Sequence, residues 1–231
     1  MSNPRQLLLD LPQRAALGRD DFLVAPSNAA AVKLIDDWPE WPSNAAVLVG
    51  HEGAGKSHLA NVWQGRASAR ILPLSELTIE ATPELLDSGA LCLEHGGAFD
   101  ETALFHALNF ARQNAAHVLL TSRLEPKAWG VRLPDLASRL NALPMVQIAL
   151  PDDALLRGVL VKLFADRQIN VDDALVSYML TRMPRSLGAA RLLVAAIDQQ
   201  AMLERAEVTK VFVGRVMAAL ESPDFFDSED K

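Results

Sequence analysis

Short, nearly continuous apolar runs alternate with longer stretches in which apolar residues recur every three or four positions. Residues 46–49, 70–74, 90–93, 117–122 and 145–150 have the length and aliphatic content of strands buried on both faces. Between them, residues 29–35, 58–64, 83–87, 100–114 and 134–143 read as helices, with Ser27 or Asn28 placed to cap the first. Strands alternating with helices over residues 43–151 predict an α/β fold, a five-stranded parallel sheet that binds ligands at the strands' C-terminal ends. From Asp152 the strands stop. Residues 152–167, 172–183, 186–205 and 208–220 all read as amphipathic helices. The expected organisation is an extended arm over 1–20, an α/β domain over 21–151, an all-helical lid over 152–220 and a disordered acidic tail over 221–231.

Composition narrows the setting. With 231 residues, half of them hydrophobic, the chain can bury a real core. No apolar run approaches the ~20 residues that span a bilayer, and the N-terminus lacks the apolar core and cleavage site of a signal peptide. A single cysteine, Cys92, excludes an internal disulfide and fits the reducing cytoplasm. A net charge of −7 argues against a large DNA-binding surface of its own, because duplex binding depends on neutralising phosphates.

The chemistry is concentrated after the first apolar run. Gly50-His51-Glu52-Gly53-Ala54-Gly55-Lys56-Ser57 fits G-x-x-x-x-G-K-[ST], the phosphate-binding loop. A chance glycine-rich turn is the bland alternative, but strand, loop and helix stand in the order the motif requires. The glycines let the backbone aim N–H groups at a polyphosphate, and the helix beginning near Lys56 adds its positive end. Lys56 is placed to reach β and γ phosphates, and Ser57 to complete a magnesium shell. His58, directly after Ser57, is counted with the candidate nucleotide-binding residues, packing behind the loop being its bland reading. Glu94, at the end of the third apolar run, is the candidate magnesium-associated carboxylate, and Thr121-Ser122 ends the fourth run near the nucleotide. A P-loop α/β domain followed by a small helical domain is the AAA+ plan.

Phe22-Leu23-Val24-x-x-x-Asn28, the phosphate loop, Leu119-Leu120-Thr121-Ser122, Leu136-Ala137-Ser138-Arg139-Leu140 and the helical lid together cover roughly residues 20–220. On these the chain resembles the DnaA/Hda family of AAA+ replication proteins, and more closely its short Hda-type members than the full-length initiator DnaA. The resemblance implies an adenine pocket around Phe22, Val24 and Asn28, and a sensor of the γ-phosphate at Thr121. It makes Arg139 an arginine finger acting on a neighbouring subunit's nucleotide. A surface arginine capping a helix end is that residue's bland reading. Gln6, Leu7, Leu9 and Leu11 resemble the sliding-clamp-binding peptide of Hda-type proteins. By themselves these leucines read as an extended segment covering the core, and they could also join two copies as a homodimer.

Two departures from the family pattern stand out. The strand-end acid pair is Glu94-His95, and the second-sensor arginine aligns with Gly188, leaving Arg185 or Arg191 to substitute. They imply that ADP or ATP, with Mg2+, is held mainly as a structural ligand. The expected function is regulation of replication initiation. Held on the DNA-loaded clamp, and so meeting DNA only indirectly, the chain would stimulate ATP hydrolysis by DnaA and leave it in the inactive ADP form. It stops after the lid, where the initiator carries an origin-binding domain. The alternative is a self-sufficient AAA+ ATPase that loads a helicase or remodels a partner. A small-molecule kinase lacks a second substrate-binding constellation.

Overall fold

The computed structural model describes residues 23–221. The arm residues Gln6, Leu7, Leu9 and Leu11, together with Phe22 and the acidic tail from residue 222, lie outside the described residues. In chain order the elements are α1 (Ala29–Asp36), β1 (Ala45–Gly50), α2 (Lys56–Ala67), β2 (Arg70–Pro73), α3 (Thr82–Leu85) and β3 (Ala90–His95). Then follow α4 (Glu101–Gln113), β4 (His117–Ser122), α5 (Pro134–Asn141), β5 (Met145–Ile148), α6 (Asp153–Ala165), α7 (Asp173–Leu180), α8 (Leu187–Glu204) and α9 (Lys210–Glu221).

The five strands form one sheet in the order β2-β3-β4-β1-β5, with every neighbouring pair parallel. Strand alternation divides the core into two layers, because successive side chains point to opposite faces. Ala46 and Leu48 of β1, Cys92 of β3 and Leu119 of β4 face α1 and α2. Val47 and Val49, Leu91 and Leu93, and Val118 and Leu120 face α4 and α5. Burial on both sides is why β1, β3 and β4 read as unbroken apolar runs.

On the first face Trp41 stacks on Trp63 at 5.4 Å and gives its indole N–H to the Leu34 carbonyl at 2.7 Å. His117 lies edge-on to both Trp38 and Trp41. A third core, built by α6 to α9 around Leu160, Phe164, Met179 and Ile197, forms the lid. Among the described residues no helix is long and apolar enough to cross a membrane.

Two local expectations are corrected. Neither Ser27 nor Asn28 caps α1 through its side chain. Asn28 is buried, accepts the Ala25 N–H at 2.8 Å and donates to the Leu23 carbonyl at 2.9 Å, so it folds the loop before the helix. β5 ends at Ile148, short of residue 150, because the Ala149 N–H leaves the sheet and bonds the Ser27 carbonyl at 3.0 Å.

Candidate nucleotide-binding site

The strand order puts β4 between β1 and β3, so three strand ends meet at one place. The phosphate loop leaves β1 after Gly50 and closes into α2 at Lys56. Gly50 sits where a Cβ would come within 3.2 Å of the Ile148 Cβ and 3.3 Å of the Ala54 Cβ, so β5 and the loop hold the backbone on both sides. Gly55, with φ of 104°, is the residue before the helix, a conformation that favours glycine. Buried Ala54 closes a turn by giving its N–H to the His51 carbonyl at 3.2 Å.

Lys56 extends along the loop and donates to the carbonyls of Gly50 at 2.7 Å and His51 at 2.8 Å. Burial lowers its affinity for a proton, with the Arg123 charge acting the same way, while Glu52 and Glu94 oppose the shift. Arg123, directly after β4, pairs with Glu52 of the loop at 2.8 Å across an exposed edge. Ser57 donates to Glu94 Oε1 at 3.1 Å, joining the two residues expected to share magnesium. A hydroxyl and a carboxylate are ligands Mg2+ accepts, and the ion takes its remaining oxygens from phosphates and water. Among the described residues no cluster of three or more acid, His or Cys side chains could hold a metal ion. Thr121 is buried in register with Leu48 on one side and Glu94 on the other.

His95, one residue past Glu94, is fixed as an aromatic. Its ring stacks on Trp129 at 4.2 Å and 7°, with Phe99 edge-on at 5.5 Å. The Trp129 indole donates to Ser122 Oγ at 3.0 Å, and that hydroxyl lies 3.4 Å from His95 Nδ1. Burial lowers the proton affinity of His95 and favours the neutral ring directly after Glu94. Trp129 is the residue that the sequence reading missed, because no motif contains it.

The lid reaches the loop through α8. Gly188 donates its backbone N–H to the Gly53 carbonyl at 3.2 Å. Gly53 has φ of 69°, and a Cβ there would lie 2.0 Å from Ser186 Oγ. Arg191, one turn along α8, lies 2.7 Å from Nδ1 of buried His58, and burial lowers the guanidinium's proton affinity. Arg185 stands apart from this contact, exposed and paired with Asp153 at 3.0 Å. Leu23 packs against Gly158 of α6 while Val24 is 53% exposed, so the loop from Leu23 to Asn28 bridges lid and sheet.

Arg139 is not brought to this site. It lies on α5 and lines a cavity with Pro42, Asn44 and Ala45, at the N-terminal end of β1. The loop leaves the opposite end, about 20 Å away at the usual rise of a parallel strand. Arg139 Nη1 donates to Asn109 Oδ1, and its guanidinium lies over the Phe105 ring at 5.0 Å.

A five-stranded parallel sheet with β4 between the loop strand and the acid strand, topped by a helical lid, defines an AAA+ P-loop NTPase fold. Domain III of the Thermotoga maritima replication initiation protein DnaA has this fold: TM-score 0.72 at 16% identity, over 90% of this chain and 98% of that one. AMPPCP-bound DnaA from Aquifex aeolicus is similar over 80% of this chain and 64% of its own, with TM-score 0.64 and 16% identity. The Thermotoga maritima RuvB Holliday junction branch migration motor is also similar, with TM-score 0.61 and 16% identity over 78% of this chain and 63% of that one. No protein-family model and no curated protein sequence matches the chain.

Proposed function

We propose that this chain is a nucleotide-binding regulator of replication initiation, of the Hda type. It holds ADP or ATP with Mg2+ at Lys56, Ser57 and Glu94, and the Leu23–Asn28 loop flanks the base. Through Gln6, Leu7, Leu9 and Leu11 it binds the DNA-loaded sliding clamp. It then docks on ATP-bound DnaA, supplies Arg139 to that nucleotide and leaves the initiator in its ADP form. The AMPPCP-bound state of the structurally similar Aquifex DnaA supports the nucleotide assignment.

The observation that carries the reading is the position of Arg139. It is braced by Asn109 and Phe105 at the edge opposite its own phosphate loop. A guanidinium there serves a neighbour's nucleotide, where such a charge is worth ~10³–10⁵ in rate. His95, locked on Trp129, supports the companion inference that the chain's own turnover is slow.

The test is ATP hydrolysis by purified initiator with clamp-loaded DNA, with and without this protein. We expect stimulation by the wild type, its loss in Arg139→Ala with clamp binding intact, and loss of clamp binding in Gln6→Ala. The Ser57–Glu94 contact supports a second reading, a self-sufficient ATPase that loads or remodels a partner. Phosphate release by this chain alone, abolished by Lys56→Ala and indifferent to the initiator, would replace the first reading by the second.

A further inference from the structure

We propose that Arg112 and Arg139 together form a polyphosphate receptor. Its occupant is the triphosphate tail of a nucleotide held by a neighbouring AAA+ subunit, an assignment of source that rests on the function proposed above. Arg112 belongs to none of the motifs in the chain. It reaches the site because α4 packs against α5.

Arg112 and Arg139 both line one cavity of about 320 Å³, together with Pro42, Asn44, Leu108 and Leu143. No carboxylate lines it. The acid that acts on Arg139 is Asp135, four residues earlier at the exposed start of α5. The Arg112 and Arg139 charges oppose one another, and among the described residues the Arg112 side chain has no hydrogen-bond or ion-pair partner. Asn109 occupies one N–H of Arg139 and leaves the rest of the fork available.

Ser43, also on the wall, accepts the Ala45 N–H at 3.3 Å and retains its own hydroxyl proton to give. Asn44 spends its side-chain N–H on the Ala116 carbonyl at 3.1 Å, so the donors the wall offers are the two arginines and the Ser43 hydroxyl. Two like charges facing one cavity are relieved by an anion that bridges them, and guanidinium forks match phosphate oxygens in pairs. The apolar wall of Leu108 and Leu143 holds water back and strengthens that attraction. In phosphoryl transfer charge spreads over several oxygens, so a second guanidinium adds stabilisation that one finger cannot reach.

The test has two arms. In the first, full-length protein carrying Lys56→Ala, which weakens its own phosphate loop, is titrated with inorganic tripolyphosphate by calorimetry at low ionic strength. One site is expected, weakened roughly tenfold by adding Arg112→Ala and only about threefold by Arg112→Lys, which keeps the charge without the fork. Absence of binding, or equal binding by the Arg112→Ala protein, overturns the receptor.

In the second arm, initiator ATP hydrolysis is measured with clamp-loaded DNA. Arg112→Ala is expected to lower the maximal stimulated rate roughly tenfold at an unchanged half-saturating concentration, with Arg112→Lys recovering most of it. Wild-type stimulation that Arg112→Ala leaves intact overturns the receptor and spares the regulatory reading. A tripolyphosphate site in a protein that never stimulates the initiator overturns the regulatory reading and, with it, the assigned occupant.

Discussion

Gly53 fills one of the four variable positions of the phosphate-loop pattern, yet it is the position with the least freedom. Its φ of 69° disfavours any side chain, and Ser186 of the lid stands where a Cβ would go. Gly89 offers the comparison: its φ is 81°, but nothing lies within 4 Å of an added Cβ. Gly89→Ala is therefore expected to cost only the backbone term, about 1–2 kcal/mol. Gly53→Ala should cost more, raise hydrogen exchange at the start of α8 and weaken ADP binding roughly tenfold, since the lid must back away. Denaturant melts and exchange mass spectrometry on the two variants check this. Unchanged exchange at the start of α8 would mean that the lid is not seated on the loop. The motif letters around Gly53 are local and legible, whereas its demand for glycine comes from a residue far along the chain. Trp129 was hidden for the same reason: its role arises only when β3 and β4 bring His95 and Ser122 together.

At the level of elements, the lid helices begin on side chains chosen for the task. Asp152 accepts the Leu155 N–H at 2.7 Å, Asp172 accepts the Leu175 N–H at 2.7 Å, and Ser186 accepts the Ala189 N–H at 3.3 Å. Asp172 carries the simplest prediction, because α7 lies wholly within the lid. Asp172→Ala should lower stability by about 1 kcal/mol, and Asp172→Asn by much less, as read from urea midpoints. Helix positions were legible because caps and 3.6-residue spacing lie in one stretch of chain. The central strands were legible because both faces are buried. Edges were less so. β2 stops at Pro73 because buried Leu74 begins a 3₁₀ turn, and β5 stops where Ala149 turns to Ser27.

Across the whole molecule, the phosphate loop and Arg139 lie at opposite ends of β1 and share no side-chain contact. Their functions should therefore separate. Lys56→Ala is expected to abolish ADP binding by this chain, while Arg139→Ala leaves that affinity within about twofold of wild type, because well-separated sites behave independently. Calorimetry with ADP decides it, and a large loss in Arg139→Ala would show that the ends are coupled. Which end of the sheet Arg139 occupies follows from the packing of α5 against α4, and no local pattern in the sequence specifies it.

The stack of His95 on Trp129 gives the molecule an optical gauge. Of the four tryptophans, Trp38, Trp41 and Trp63 gather on the α1–α2 face of the sheet, and Trp129 alone lies beside the Glu94 end of β3. A neutral imidazole leaves indole emission bright, whereas an imidazolium stacked on it quenches. Burial holds the folded proton affinity of His95 below that of the unfolded chain. Its contribution to stability is then complete above the ordinary histidine value near 6.5 and declines as the pH falls through the folded one. Acidification should dim Trp129 over that lower range. His95→Gln should remove this component and leave only the response of the tryptophans around His117, itself shifted the same way by burial. A steady-state emission titration of the two proteins would read it, and an identical acid limb would show that the stack does not govern the light. Any ligand that shifts the end of β3 would then announce itself as a change in colour or brightness, with no label attached.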